Sequence, residues 1–591
     1  MASLARPTLL LLAIFGAYWG ALSSPFLFDD ADAVVNNASI RGPSLLSALV
    51  PPADGSAVTG RPLVNLSFAI DRALFGEDVR GYHATNLAIH AGAALALFGL
   101  LRRTFAHHGN PPSNDALAFF GALLWSLHPL QTESVVGIAQ RTELLCGLFY
   151  VVAVYAFMRG ALDGARGWLV TSCIACLAGM AAKEVMVTAP LVILLFDRTF
   201  VAGNFKAAWR ERRGYYLALA STWVLLAALV LSRGGARGEA AGFGLGITPW
   251  SYLLTQADAL VLYVRLAVWP HPLVLDYGTA VMGSLGDVAW QGLLVIAALG
   301  ATIWALVRRP VAGFFGAAFF LILAPSSSFV PLVTQTVAEH RMYLPLAVVI
   351  TGGVVLLPGR ARWLLVLVAL GWGGATIQRT RDYRDAVTIW SDTVAKRPTN
   401  PRAHHNLALA HQARGDTVAA HQRFARVIEL RPDYAPARYN WGVALLARGL
   451  RADAAIQLDA AARLSPSLRL EPRFAETQFE LGRLAEREGD WAAAEFRYGE
   501  AVRLAPANAA ARAKLGLLLA RSERLEPAAE QFRAVIAARP DDADAHANLG
   551  NVLLLLGRPR EALTSYEQAL RLRPDDPRSA ENIRLAREAL R

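Results

Sequence analysis

Charge is spread so unevenly along this 591-residue chain that no single solvent suits all of it. Up to Gln378 the sequence holds 24 Lys+Arg and 19 Asp+Glu, whereas the 213 residues after it hold 34 and 28. About one residue in nine is charged in the first part and about three in ten in the second, against roughly a quarter in ordinary soluble domains. The first part is too apolar for water and the second too polar for lipid. A membrane domain followed by a soluble domain satisfies both, and the length independently asks for more than one core. The formal charge of +11 divides as +5 and +6, concentrated on neither half. No zinc module or aromatic-interleaved RNA motif accompanies the basic residues, so no nucleic acid is expected as a partner. Cys146, Cys173 and Cys176 all lie in apolar runs, and no disulfide framework exists.

Eleven apolar stretches are candidate spans: 8–28, 84–101, 115–131, 136–158, 167–182, 185–197, 214–232, 288–307, 311–330, 343–357 and 362–378. The first is too long for a signal-peptide core and lacks a small-residue cleavage site before Asp29, so it reads as a retained span. With a cytoplasmic N-terminus, alternate connections carry the basic excess: Arg102-Arg103, Arg159 with Arg166, the run from Arg198 to Arg213, Arg308-Arg309, and Arg360 with Arg362. The first outer connection, Asp29 to Tyr82, is acidic instead, with seven Asp/Glu against four Arg. Trp250–Trp269 is apolar but carries Asp258 and Arg265, and counting it as a span would place Arg308-Arg309 outside. It reads as an interfacial or re-entrant segment, about 250–270. The odd span count then places the C-terminal part outside the cytoplasm.

That part is periodic. Prolines at 398, 432, 466, 506, 540 and 574 are separated by 34, 34, 40, 34 and 34 residues, and 34 is the tetratricopeptide length. Leu407, Ala408, Ala420 and Phe424 recur as Leu549, Gly550, Ala562 and Tyr566, while Gly442, Gly482 and Gly516 hold a small position where two helices approach closely. The expected fold is all-α: a polytopic helical membrane domain over 1–378, a connector over 379–399, then an α-solenoid. It comprises five repeats over 400–575, with a six-residue insertion near Leu468–Arg473, and a capping helix over 576–591. Asn406, Asn440 and Asn548 recur on first helices, where they could bond the backbone of a peptide or protein partner, or stand solvated with no ligand.

Ionisable groups at membrane depth are expensive and mark function. On this topology they converge on the outer mouth: Asp29-Asp30, Arg61, His83 with Asn86, His128 with Glu133, Arg141 with Glu143, Lys183-Glu184, and Glu339-His340-Arg341 before Tyr343. Carboxylates beside fixed cations at an interface suit an enzyme that draws a lipid-anchored phosphate from the bilayer. The cations neutralise the leaving phosphate, and a carboxylate takes the proton of an incoming hydroxyl. The plainer readings are a solvated helix end for Asp29-Asp30, structural hydrogen bonding for His83 and His128, an internal pair for Glu133 and Arg141, and interfacial snorkelling for Lys183 and Arg341. No ligand spacing demands a metal, although a divalent ion is compatible with the residue types.

The ordered set Phe28-Asp29-Asp30, Arg61-Pro62-Leu63, Tyr82-His83-x-x-Asn86 with His90, His128-Pro129-x-x-Thr132-Glu133, Arg141-x-Glu143-Leu144-Leu145, Lys183-Glu184 and Ala338-Glu339-His340-Arg341-Met342-Tyr343-Leu344-Pro345 resembles the transmembrane and tetratricopeptide repeat-containing proteins. These are integral-membrane O-mannosyltransferases of the GT-C type, and the resemblance runs along nearly the whole chain. It implies transfer of a sugar, typically mannose, from a polyprenyl phosphate to an acceptor hydroxyl with inversion, no required cofactor, and repeats that deliver a protein Ser/Thr acceptor. Asp29-Asp30 matches the family's catalytic acid, with either residue open as the base. Glu133 would orient acceptor or sugar, and Arg141, Lys183 and Arg341 are candidates for the donor phosphate. Arg61, His83, Asn86, His128 and Tyr343 are further substrate-binding candidates. The Ala- and Arg-rich, Lys-poor composition suggests a bacterial inner-membrane protein with periplasmic repeats, for which other sugars and glycan acceptors stay open. A non-enzymatic membrane-anchored scaffold and a transporter are the competing classes; the one-sided clustering disfavours the transporter, which would place polar groups near the midplane.

Overall fold

The computed structural model describes residues 2–42, 44–108, 111–232, 242, 246–278, 281–328, 330–333, 335–465 and 473–590. Among these every regular element is helical. The chain forms two compact units, 1–406 and 407–591.

The first unit runs through α1 (Ala2–Tyr18), α2 (Pro62–Phe75), α3 (Val79–His108), α4 (Pro111–Ser126), the short α5 (Thr132–Val136), α6 (Arg141–Asp163), α7 (Arg166–Met180) and α8 (Ala189–Phe200). It continues with α9 (Phe205–Leu231), α10 (Pro249–Val268), α11 (Ala289–Arg308), α12 (Pro310–Leu323), α13 (Pro345–Leu356), α14 (Leu364–Asp382) and α15 (Ala386–Lys396). Proline opens several of them, at Pro62, Pro249, Pro310 and Pro345, where its missing N–H costs no helical bond. Helix α3 packs on α4 and α6, α6 on α7, and α1 on α3, α4 and α14, while α12 bridges α8, α11 and α13.

Five stretches are long and apolar enough to cross a bilayer: Ala5–Ser23, Val79–His107, Ile138–Asp163, Phe205–Leu231 and Leu285–Arg308. Asp115–Ser126, Arg166–Met180, Pro310–Leu323 and Pro345–Leu356 are apolar but shorter. Each of the eleven expected stretches carries a helix, yet several are cut short by turns. The third ends at Ser126, where His128-Pro129 starts a new turn, and the sixth begins only at Ala189, after a 3-10 turn over Glu184–Thr188. Along α11 the side chains of Leu293, Ile296, Ile303 and Val307 stand exposed on successive turns. A water-facing helix would not present such a surface; lipid accounts for it.

The expected outer loop 29–82 is more ordered than its composition suggests. It contains α2 and several single turns, and buries its own cluster of Val34, Ile40, Val58, Val64, Phe68 and Tyr82. The segment expected at Trp250–Trp269 forms the 20-residue helix α10 over Pro249–Val268, whose Tyr252, Gln256 and Tyr263 are buried.

The first unit ends within α16 (Pro401–Ala413), and from Leu407 the second unit is a ladder of helices: the rest of α16 with α17 (Thr417–Leu430), α18 (Ala435–Ala447) with α19 (Arg451–Leu464), α20 (Arg473–Glu488) with α21 (Trp491–Leu504), α22 (Ala509–Arg521) with α23 (Leu525–Ala538), and α24 (Ala543–Leu555) with α25 (Pro559–Leu572). It closes on α26 (Pro577–Glu588). Asp416, Asp490, Asn508 and Asp542 cap their helices by accepting a backbone N–H. A Cβ added at Gly482 or Gly550 would lie 2.6 Å from the ring of Tyr498 or Tyr566, which is why the repeat keeps a glycine there. Pro466 and most of the insertion expected at Leu468–Arg473 lie outside the described residues.

Candidate active site

The first unit encloses a chamber of about 650 Å³. Asp29, Asp32, Arg61, Lys183, Glu184, His340 and Arg341 line it, with apolar Met180, Val185, Leu226, Leu229 and Leu332. Side chains far apart in the sequence thus face one space.

The acidic pair divides its labour. The chain leaves α1 through a 3-10 turn, passes Phe28 in a left-handed conformation (φ 51°) and enters a single π-helical turn at Ala31. Phe28 is held edge-on against Trp390 of α15, with ring centres 5.3 Å apart. Asp30 is buried, accepting the Leu27 N–H at 2.9 Å and the Ala139 N–H at 2.6 Å, so both its oxygens tie the loop to the turn before α6. Asp29 lines the chamber and its carboxyl has no hydrogen-bond or ion-pair partner among the described residues. Burial, seconded by the nearby charges of Glu133, Asp32 and Asp276 and opposed by Arg402, pushes Asp29 up to about 7.

The cations divide similarly. Lys183 pairs with Glu143, and burial brings it down to about 8. Arg61 directly precedes α2, donates to the Ala57 carbonyl at 2.6 Å and sits 3.5 Å from Glu184. Among the described residues Arg341 donates only to neutral oxygens: the carbonyls of Thr336 (2.9 Å), Ser326 (3.3 Å) and Gln335, and the Tyr252 hydroxyl (3.3 Å). Of the three, only Arg341 has no carboxylate in contact among the described residues. A buried guanidinium without a counter-ion is costly unless an anion arrives.

Arg141, expected on the phosphate, is instead sealed in the fold. It is 0% exposed, pairs with Asp71 at 2.6 Å, donates to Asn86 Oδ1 at 2.7 Å and to the Tyr82 carbonyl at 2.9 Å, and covers the Phe68 ring at 4.5 Å. Its charge is spent joining α2, α3 and α6, and Asn86 is spent with it. His83 is fastened to the Ser24 carbonyl at 2.8 Å. His128 accepts the Leu130 N–H at 3.1 Å as a helix cap and rests edge-on against Trp372. Tyr343 meets His90 through its hydroxyl at 2.9 Å. These expected substrate contacts serve the scaffold behind the chamber; Arg61 alone of that group faces it.

Glu133 does not line the chamber either. One oxygen accepts the His340 N–H at 3.1 Å and the other lies 2.8 Å from His340 Nδ1. Two further buried acids take partners that the sequence did not assign. Glu339 accepts from the Tyr277 hydroxyl at 2.8 Å, and Asp276 pairs with Arg402. The latter joins the loop after α10 to the first turn of α16, where Asn400 also donates to the Asp276 carbonyl at 3.0 Å. A carboxylate two residues from Leu273-Val274 in an otherwise apolar loop was the available signal for Asp276; no spacing ties it to Arg402. No cluster of three or more His, Cys, Asp or Glu is placed to hold a metal among the described residues. Asn406 sits on α16 with a buried Nδ2, and Asn440 and Asn548 are half-buried on α18 and α24.

The tetratricopeptide repeat family model matches residues 405–469, 479–534 and 514–577. The protein O-mannosyl-transferase F38B6.6 of Caenorhabditis elegans is 23% identical over 71% of this chain and 61% of its own length. Human protein O-mannosyl-transferase TMTC4 is 25% identical over 67% and 62%, and Drosophila melanogaster Tmtc1 31% identical over 31% and 21%. The chain thus spans about three-fifths of the first and second of these relatives, and a fifth of the third. Among solved structures, YrrB, a TPR protein with an unusual peptide-binding site, overlaps 33% of this chain and 98% of that one, with 21% identity and a TM-score of 0.27. A match over 71% of 591 residues cannot be held by the 213 that follow Gln378, so the likeness to the mannosyl-transferases enters the membrane half as well. The chain is a TMTC-like membrane protein carrying tetratricopeptide repeats.

Proposed function

We propose that this protein transfers a hexose, mannose or a close relative, from a polyprenyl phosphate to an acceptor hydroxyl, with a protein Ser/Thr as the leading acceptor and the repeats binding it. The relatives' names supply the reaction class. The observation that carries the donor is the adjacency of two unlike spaces. A small crevice lined by Glu143, Lys183, Arg341, Ile322 and Leu344 shares Lys183 and Arg341 with the chamber, and beside it lies an apolar cavity of about 210 Å³. Ile322 and Leu344 also line that cavity, together with Val154, Phe196, Phe314 and Ala347, between α3, α6, α8, α12 and α13. A polyprenyl tail fits the apolar end, its phosphate the neck at Lys183 and Arg341, and its sugar the chamber.

In this arrangement the acceptor oxygen attacks the anomeric carbon from the face opposite the phosphate. Its proton passes to an Asp29 carboxylate oxygen as the new bond forms. The bond from the anomeric carbon to the phosphate oxygen breaks, and the electron pair leaves with the polyprenyl phosphate, whose charge Arg341 and Lys183 offset. One displacement inverts the anomeric centre. By this reading the site opens on the non-cytoplasmic face of a bacterial inner membrane.

The reading is tested by incubating the full chain in lipid nanodiscs with polyprenyl-phosphate sugars and following release of polyprenyl phosphate and the product's anomeric configuration. Exclusive use of soluble nucleotide sugars, or retention of configuration, sinks it. Filling the apolar cavity should tell on the tail alone: Ala318→Phe raises KM for a long-chain donor about tenfold, since each displaced methylene forfeits about 0.8 kcal/mol, and leaves a short-chain donor nearly unaffected.

A pH dependence follows from Asp29. The base must be ionised, so turnover rises with pH through about 7 and levels off above it. Folding stability moves the other way: a carboxyl raised above its unfolded value favours the fold while protonated, and that contribution is lost as pH rises through about 7. Opposite slopes in rate and melting temperature are expected over about pH 5–7, both levelling off above it, the rate slope disappearing in Asp29→Asn.

A further inference from the structure

We propose that His340 contacts the donor, its Nε2–H donating a hydrogen bond to an oxygen of the polyprenyl phosphate, with Glu133 as the residue that fixes the ring and its tautomer. The inference rests on the donor reading of the chamber.

His340 lies in the single 3-10 turn Glu339–Met342, directly before Arg341. Glu133 grips it at two points: one carboxyl oxygen takes the His340 N–H at 3.1 Å, the other faces Nδ1 at 2.8 Å. Glu133 is 4% exposed and His340 8%. The neighbouring Arg341 donates to four oxygens, which fasten the turn at the next residue. With Nδ1 committed, the ring can offer only Nε2, and Nε2 has no partner among the described residues although the side chain lines the chamber.

Which end carries the proton follows from the surroundings. Burial pushes Glu133 up, against the pull of its backbone bond and Arg379. Burial also pushes His340 down, and of the charges around it Lys183, Arg341 and Arg61 oppose protonation while Glu143 favours it. A neutral carboxyl donating to Nδ1 and a neutral imidazole with its hydrogen on Nε2 satisfy both directions at once. The Nε2–H then stands beside Arg341, the one chamber-lining guanidinium that has no carboxylate in contact among the described residues. A donor there that adds no charge of its own suits a phosphate oxygen.

The proposal gives the two partners separate roles, one touching the donor and one holding the ring. Glu133→Gln preserves the arrangement, because a glutamine amide donates to Nδ1 and its carbonyl accepts the backbone N–H. Binding of a polyprenyl phosphate to the full chain in nanodiscs, with the matching uncharged polyprenol as control, reads the contact without turnover. His340→Ala is expected to weaken polyprenyl phosphate about ten- to a hundredfold, the range for a hydrogen bond to a charged group, and to leave the polyprenol unchanged. His340→Gln, whose amide N–H reaches the same place, and Glu133→Gln are expected within about threefold of wild type, whereas Glu133→Ala, which frees the ring, behaves like His340→Ala. If His340→Ala binds the phosphate as wild type does, or weakens phosphate and alcohol alike, this inference falls and the donor reading stands. If wild type does not distinguish polyprenyl phosphate from polyprenol, both fall. Loss of binding in Glu133→Gln overturns the neutral dyad.

Discussion

Asp29→Asn stops sugar transfer, lowering turnover about 10²- to 10⁴-fold, the usual contribution of a general base, while the protein still inserts, folds and binds polyprenyl phosphate. The expectation comes from how differently the two adjacent acids are used. Asp29 faces the chamber with its carboxyl uncommitted, so an amide of the same shape disturbs nothing around it. It also relieves a buried charge held near 7, so its melting temperature above neutral pH should equal or exceed that of wild type. Asp30→Asn should look quite different. Its two oxygens receive the Leu27 and Ala139 N–H groups, and an amide can accept only one of them, leaving a donor facing a donor. The loop that carries Asp29 then loses its tie to α6, and both melting temperature and rate fall. Initial rates of polyprenyl phosphate release, measured beside melting curves, separate the two. Full activity in Asp29→Asn at unchanged stability would remove it from the reaction.

How far the sequence reaches can be judged from such residues. The repeats were legible because a tetratricopeptide buries its core against its neighbour alone, so a 34-residue period records every contact that matters, down to the glycines facing Tyr498 and Tyr566. The helices of the membrane half were legible from apolar length, although their ends were not: His128-Pro129 stops a helix expected to run to 131, and a 3-10 turn over Glu184–Thr188 delays one expected from 185. For the site, the sequence could gather charges on one rim but could not assign partners. Asp71, Arg141, Asn86 and Tyr82 belong to three helices brought together by tertiary closure, and nothing within a few residues of Arg141 announces that its charge is already matched. The same holds for Asp276 and Arg402, which are 126 residues apart and joined only because the start of α16 packs on the loop after α10. Local chemistry names the groups that can react; long-range pairing decides which remain free to do so.

That distinction gives Arg141 its own test. Arg141→Gln alone leaves Asp71, almost fully buried, without its cation, and breaking a buried pair in this way costs about 3–5 kcal/mol. The single variant should accumulate poorly and melt far below wild type, and its inactivity would mimic the loss of a phosphate ligand. Arg141→Gln combined with Asp71→Asn removes both charges while keeping hydrogen-bonding groups. The new asparagine side chain can still accept from the Thr85 hydroxyl as Asp71 does now, and the new glutamine amide can still donate toward Asn86. Replacing a buried ion pair by a neutral one is often close to neutral for stability, so the double variant should regain most of the fold. It should regain transfer with it, because neither residue lines the chamber. Recovery of melting temperature without recovery of turnover would return Arg141 to the donor phosphate and displace the division of cations argued from its burial. Recovery of both leaves Arg341, with Lys183 beside it, to meet the anion.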